Sequence, residues 1–86
     1  MLQSKRFVGL EIVLTTHAQQ RAHERGISLE LIQDIVDNGT QQEAGPGHFW
    51  FYKHFPARHD NLLCVAAVMD NVLVIKTVMH HWRPAP

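Results

Sequence analysis

Leu62-Leu63-Cys64-Val65-Ala66-Ala67-Val68-Met69-Asp70-Asn71-Val72-Leu73-Val74-Ile75-Lys76-Thr77-Val78-Met79 is the stretch that decides the fold. Its first half is an almost unbroken apolar run, the pattern of a central strand covered on both faces. Asp70 and Asn71 both tolerate positive φ, so they predict a two-residue hairpin turn. Residues 72–79 then return as the last, antiparallel strand. Such a turn sets Cys64 opposite Thr77 and Val65 opposite Lys76. Strand alternation places Val74, Lys76, Val78, His80 and Trp82 on one face, and Leu73, Ile75, Thr77, Met79 and His81 on the other.

Upstream, residues 48–55 are aromatic-rich and predict a strand, with Trp50 and Tyr52 on the same face as His48 and His54. Residues 56–61 form a polar loop headed by Pro56. Residues 41–47 show no strong period, and Gly45-Pro46-Gly47 predicts a turn. Residues 6–14 are rich in β-branched residues and predict a first strand, with a bulge at Gly9. Beyond residue 79, His80-His81-Trp82 is followed by Pro84 and Pro86, which block further pairing.

Two short helices lie between the first strand and the rest. Thr16 predicts an N-cap, and Gln19 three residues on completes a capping box. The helix then covers residues 17–25 and stops at Gly26, which suits a left-handed C′ position. Ser28 caps the second helix, with Ile27 and Ile32 spaced as a hydrophobic staple. Leu31, Ile32, Ile35 and Val36 form its apolar stripe, and Asn38-Gly39 ends it. The expected class is α+β, in the order β-α-α-β-β-β, with two N-terminal helices packed on a mainly antiparallel sheet.

The chain has 86 residues, which bounds it to a single domain, 1–86, with little room for a large substrate cavity. Eight basic residues balance eight acidic ones, so nucleic-acid binding would rest on a local patch rather than on overall charge. Seven histidines make the chain increasingly cationic as pH falls through about 6.5. The lone Cys64 excludes an internal disulfide and predicts a buried, inert thiol. No apolar run reaches the roughly 18 residues of a membrane span, and the first residues lack a signal-peptide pattern. The cytoplasm is the expected compartment, with no membrane partner.

The first helix is the unusual element. Its apolar residues are Ala18 and Ala22 alone, a thin face for close packing. Positions four apart drift by about 40° at roughly 100° per residue, so His17, Arg21 and Arg25 form one ridge. Glu24 falls near it. One interpretation is a solvated polar helix, with Glu24 neutralising an arginine and long stems covering apolar surface. The other is an anion site, in which guanidiniums grip phosphate and an imidazole exchanges a proton.

The run Thr16-His17-Ala18-Gln19-Gln20-Arg21-Ala22-His23-Glu24-Arg25-Gly26-Ile27-Ser28 resembles the opening of the domain-of-unknown-function family numbered 4258. Members show a His-Ala pair, an arginine four residues after the His, then Glu-Arg-Gly-Ile-Ser. A helix ending in Asn-Gly follows, as in Asp37-Asn38-Gly39, and apolar strands end near a threonine, as in Val74-Ile75-Lys76-Thr77-Val78. That family is grouped with the RelE-like fold of small toxins, beside barnase-like and colicin-like ribonucleases. The resemblance implies the same element order and metal-independent cleavage of RNA, and some relatives are toxins held by an antitoxin.

Carried over by position, His17 becomes the acid–base group, Arg21 and Arg25 phosphate clamps, and Thr77 a hydrogen-bond donor to phosphate or an orienter of His17. Lys76 and His80 are additional substrate-binding candidates. No cofactor is expected. No metal site is expected either, because His80-His81 cannot share one strand face and His48 and His54 stand about 20 Å apart along a strand. Trp50, Tyr52 and Trp82 are either core residues or base-stacking platforms. RelE-like toxins are commonly basic and this chain is neutral. A non-catalytic interaction domain, a homodimer or the partner of a small protein, is therefore the alternative expectation.

Overall fold

The computed structural model describes residues 2–58 and 62–80. The order is β1 (Ile12–Leu14), α1 (Thr16–Glu24), α2 (Leu29–Asn38), β2 (Thr40–Glu43), β3 (His48–His54), β4 (Leu62–Met69) and β5 (Leu73–Met79). The strands form one sheet in the order β1-β5-β4-β3-β2. The β1–β5 pairing is parallel, and the other pairings are antiparallel. The expected α+β class is observed, with one more strand than expected and a mixed sheet. Residues 81–86, which include His81, Trp82 and the final prolines, lie outside the described residues.

Both helices pack on one face of the sheet. Their Ala18, Ala22, Ile32, Ile35 and Val36 form a single core with Phe51, Leu63, Val65, Ala67, Leu73, Ile75 and Val78. Alternation along β3 therefore sends Trp50 and Tyr52 to the face without helices. Phe49 and Phe51 supply the aromatic filling of the core instead.

Ser28 caps α2 as expected, its hydroxyl accepting from the Leu31 N–H at 3.2 Å. The cap of α1 is Thr15 rather than Thr16: its hydroxyl accepts from Ala18 N at 3.1 Å. The capping box consequently does not form. Gln19 turns back to donate its side-chain amide to Leu14 O at 3.1 Å.

The first strand is shorter than expected, because residues 4–10 are used otherwise. Asp37 accepts from the Ser4 hydroxyl at 2.7 Å and from the Lys5 and Arg6 N–H groups at 3.0 and 3.2 Å. The Arg6 guanidinium donates to Val36 O and Gly39 O, the open carbonyls at the C-terminus of α2. The N-terminal segment is thus a clasp on α2. Gly9 is not a bulge; it takes φ 81° within this clasp.

Residues 41–47, expected as a loop, begin inside β2. This edge strand pairs Gln42 with Trp50 and Glu43 with Phe49. Its polar sequence gave no period because only one of its long edges is paired. The Gly45-Pro46-Gly47 turn remains, closed by Ala44 N–H to His48 O at 2.8 Å.

The β4–β5 register corrects the expected one. Met69 pairs with Leu73, so the turn holds residues 70–72 rather than Asp70-Asn71 alone, and Asp70 N–H donates to Val72 O at 3.0 Å. Cys64 lies opposite Met79 and Val65 opposite Val78, not opposite Thr77 and Lys76. Between Ala66 and Ala67 the register shifts, leaving Lys76 as the extra residue of a bulge. Past it the alternation is rephased: Val78 joins Leu73 and Ile75 in the core, while Thr77 and Met79 join Val74 on the face without helices.

Gly39 sits where α2 meets β3. A Cβ there would stand 2.4 Å from Ile35 O and 2.6 Å from Tyr52 O, both backbone atoms. Gly39→Ala is expected to cost about 3 kcal/mol or more through forced backbone displacement. Urea unfolding measures it, and a loss below about 0.5 kcal/mol would contradict this packing.

Candidate functional site

β1 ends at Leu14, which pairs with Ile75. Past that point the outer edge of β5 has no strand beside it, and α1 takes the place of one. Thr15 N–H donates to Ile75 O at 3.0 Å. The Thr15 hydroxyl donates to Lys76 O at 3.2 Å while still capping the helix. At the far end of α1 the Arg25 guanidinium donates to Val78 O. Ala18 and Ala22, buried between these ties, let the helix lie close.

Arg25, the last member of the His17, Arg21 and Arg25 ridge, thereby reaches β5. The three residues differ in what they have left to give. Arg25 is engaged with a strand carbonyl. Arg21 pairs with Glu24 at 2.8 Å, with side chains 38% and 44% exposed. An exposed pair of this kind is worth at most about 1 kcal/mol and weakens with salt, so a phosphate can compete for Arg21. His17 is exposed in the first turn.

The bulge decides what β5 presents to the same edge. Lys76 is exposed, and Thr77, opposite Ala66, points to the face without helices. Thr77 and the ridge therefore belong to different layers, which meet at the rim where α1 borders β5. His80 is half-buried directly after β5. Sequence pattern did not single out Thr15, whose hydroxyl joins α1 to the bulge. The repeated Thr15-Thr16 pair was the available signal.

Arg58 donates to Arg25 O at 2.9 Å and Gly26 O at 3.1 Å, closing the C-terminus of α1. A cavity of about 510 Å³ lies elsewhere, between the N-terminal clasp and α2, bordered by Lys5, Arg6, Glu30, Asp34 and Asp37. Its two aspartates are occupied structurally. Asp37 holds the clasp. Asp34 holds Lys53 at 2.7 Å and Asn38 at 2.6 Å, and the Lys53 ammonium followed by the Asn38 amide keeps its carboxyl below the usual 3.8.

Among the described residues, no group of three or more His, Cys, Asp or Glu side chains converges as a metal site. No helix among them is long and apolar enough to cross a membrane.

The fold and this rim define a small α+β domain with a cationic helix docked on a sheet edge. The chain belongs to the family described as Domain of unknown function (DUF4258), whose model matches residues 14–80. That span runs from the end of β1 to the end of β5 and takes in the whole α1–β5 rim. No curated protein and no solved structure matches the chain.

Cys64 lies on the face without helices, between Tyr52 and Met79 in the register, and is wholly buried. Burial pushes its thiol up to about 12. Native protein at pH 8 is expected to resist iodoacetamide, with labelling appearing only on unfolding, since the thiolate is the nucleophile. Rapid labelling of folded protein would contradict this placement.

Proposed function

We propose that this domain cleaves RNA phosphodiesters without a metal ion, in the manner of the small RelE-like and barnase-like ribonucleases, and that the α1–β5 rim is its site. The observation that carries the proposal is the bond from Arg25 to Val78 O, which ties the last member of the His17–Arg21–Arg25 ridge to the strand bearing Lys76 and Thr77. A phosphodiester at the rim meets an imidazole, a redirectable guanidinium, an ammonium and a hydroxyl.

In this scheme His17 takes the proton of the ribose 2′-hydroxyl. The 2′-oxygen attacks phosphorus, the bond to the 5′-oxygen breaks, and that oxygen takes up a proton from solvent. The products are a 2′,3′-cyclic phosphate and a free 5′-hydroxyl. Arg21 and Lys76 stabilise the charge gathering on the phosphate oxygens, Thr77 donates a hydrogen bond to one of them, and Arg25 anchors the ridge. His80 is close enough in sequence to extend the phosphate contacts. A cytoplasmic toxin restrained by an antitoxin-like protein fits this chemistry.

A second function is favoured by a separate observation. Among the described residues β2 is an edge strand with no pairing on its outer side, so the domain also suits a non-catalytic role as a homodimer or as the binder of a small protein.

Single-stranded RNA incubated with the protein in excess EDTA is expected to yield cyclic-phosphate ends, and RNA bearing 2′-O-methyl groups to stay intact. His17→Ala and Arg21→Ala are each expected to lower the rate by about a hundredfold or more, with unchanged circular dichroism. Cleavage that survives both substitutions overturns the assignment. Absence of cleavage together with a stable dimer in light scattering favours the second function.

A further inference from the structure

We propose that the face of the sheet without helices seats one nucleotide of a single-stranded RNA, its base stacked on the Trp50 indole and its phosphate at Lys76 and Thr77. This deepens the ribonuclease proposal and rests on it for the identity of the ligand. The decisive juxtaposition is one row of the register: Gln42 pairs with Trp50, Trp50 with Ala66, and Ala66 with Thr77. Residues paired across neighbouring strands share a face.

Strands lie about 4.8 Å apart, so Trp50 and Thr77 stand roughly 10 Å apart across this row. In the register Ala66, which is partly exposed, is the residue between them. This spacing is comparable to the reach of one nucleotide from base to phosphate. The bulge adds the cation, because Lys76 is the extra residue beside Thr77 and is exposed. Gln42, on the far side of Trp50, is positioned to meet the edge of a stacked base.

The neighbouring row does not offer the same seat. There Cys64 lies between Tyr52 and Met79 and is wholly buried, so no gap remains. The row on the other side pairs Val13, Val74 and Val68 and ends at His48, with no hydroxyl and no lysine.

Glu24, Glu30, Asp34 and Asp37 all lie on the helices, in the opposite layer. No paired position on the face with Trp50 carries a carboxylate, while Lys76, His48 and His54 occupy it or its rim. A phosphate on this face therefore meets no carboxylate at the paired positions and one exposed ammonium, Lys76. A single strand is required, since an indole standing on a sheet stacks only on a base already out of a duplex.

The test is fluorescence anisotropy of a labelled, 2′-O-methylated single-stranded oligonucleotide, with the matching duplex as comparison. Trp50→Ala is expected to weaken single-strand binding about tenfold, and Trp50→Phe to restore most of it. Lys76→Gln is expected to reduce the slope of log affinity against log salt by about 0.7, one phosphate contact. If the oligonucleotide binds in this pattern but nothing is ever cleaved, the seat stands and the ribonuclease proposal alone fails. Unchanged affinity of folded Trp50→Ala, equal or tighter binding of duplex, or no binding at all overturns the seat. Should Trp50→Ala not fold, an unchanged salt slope in Lys76→Gln overturns it equally.

Discussion

A strand that stops too early organises this protein. β1 is three residues long and leaves β5 after Ile75. Main-chain carbonyls at Lys76 and Val78 then face outward without a strand partner, and a part-buried carbonyl left unpaired is costly. Thr15 and Arg25 supply the donors. Two side chains ten residues apart thereby fix α1 to the sheet edge at both ends. The position of Ala18 and Ala22 follows, because only small side chains let a helix approach a strand so closely.

The second structural tie works on the other helix and has the opposite chemistry. Arg6 and Asp37 exchange roles across the clasp. The guanidinium closes the carbonyl end of α2, and the carboxylate gathers the Ser4 hydroxyl and two backbone N–H groups. Acidic groups are thus concentrated around α2, where they are consumed by structure. That concentration leaves the far face of the sheet free of carboxylates at its paired positions.

Much of this was legible in the sequence where periodicity and caps agree. β4 was read to the residue, because an unbroken apolar run bounded by Asn61 and Asp70 has no other satisfactory conformation. Ser28 and Gly39 bracket α2 by cap chemistry alone. The common face of His48, Trp50, Tyr52 and His54 follows from alternation. The failures have physical causes. The bulge at Lys76 could not be read, because uninterrupted β-branched residues on either side carry no phase. The register of Cys64 and Val65 was lost with it. β2 was missed because an edge strand needs no apolar face when its neighbour β3 supplies the packing. The strand expected over residues 6–14 was cut short by contacts thirty residues distant, which no local pattern reports. The His17–Arg21–Arg25 ridge was visible from helical spacing, but the ties of Thr15 and Arg25 to β5 were not.

The most direct measurement is an NMR titration of ¹⁵N-labelled protein with an uncleavable RNA dinucleotide. If the α1–β5 rim is one site, the amides of His17, Arg21, Lys76 and Thr77 shift together along a single saturation curve. Shifts confined to the α2 clasp around Asp34 and Asp37, or shifts of α1 and β5 that saturate independently, would contradict the account.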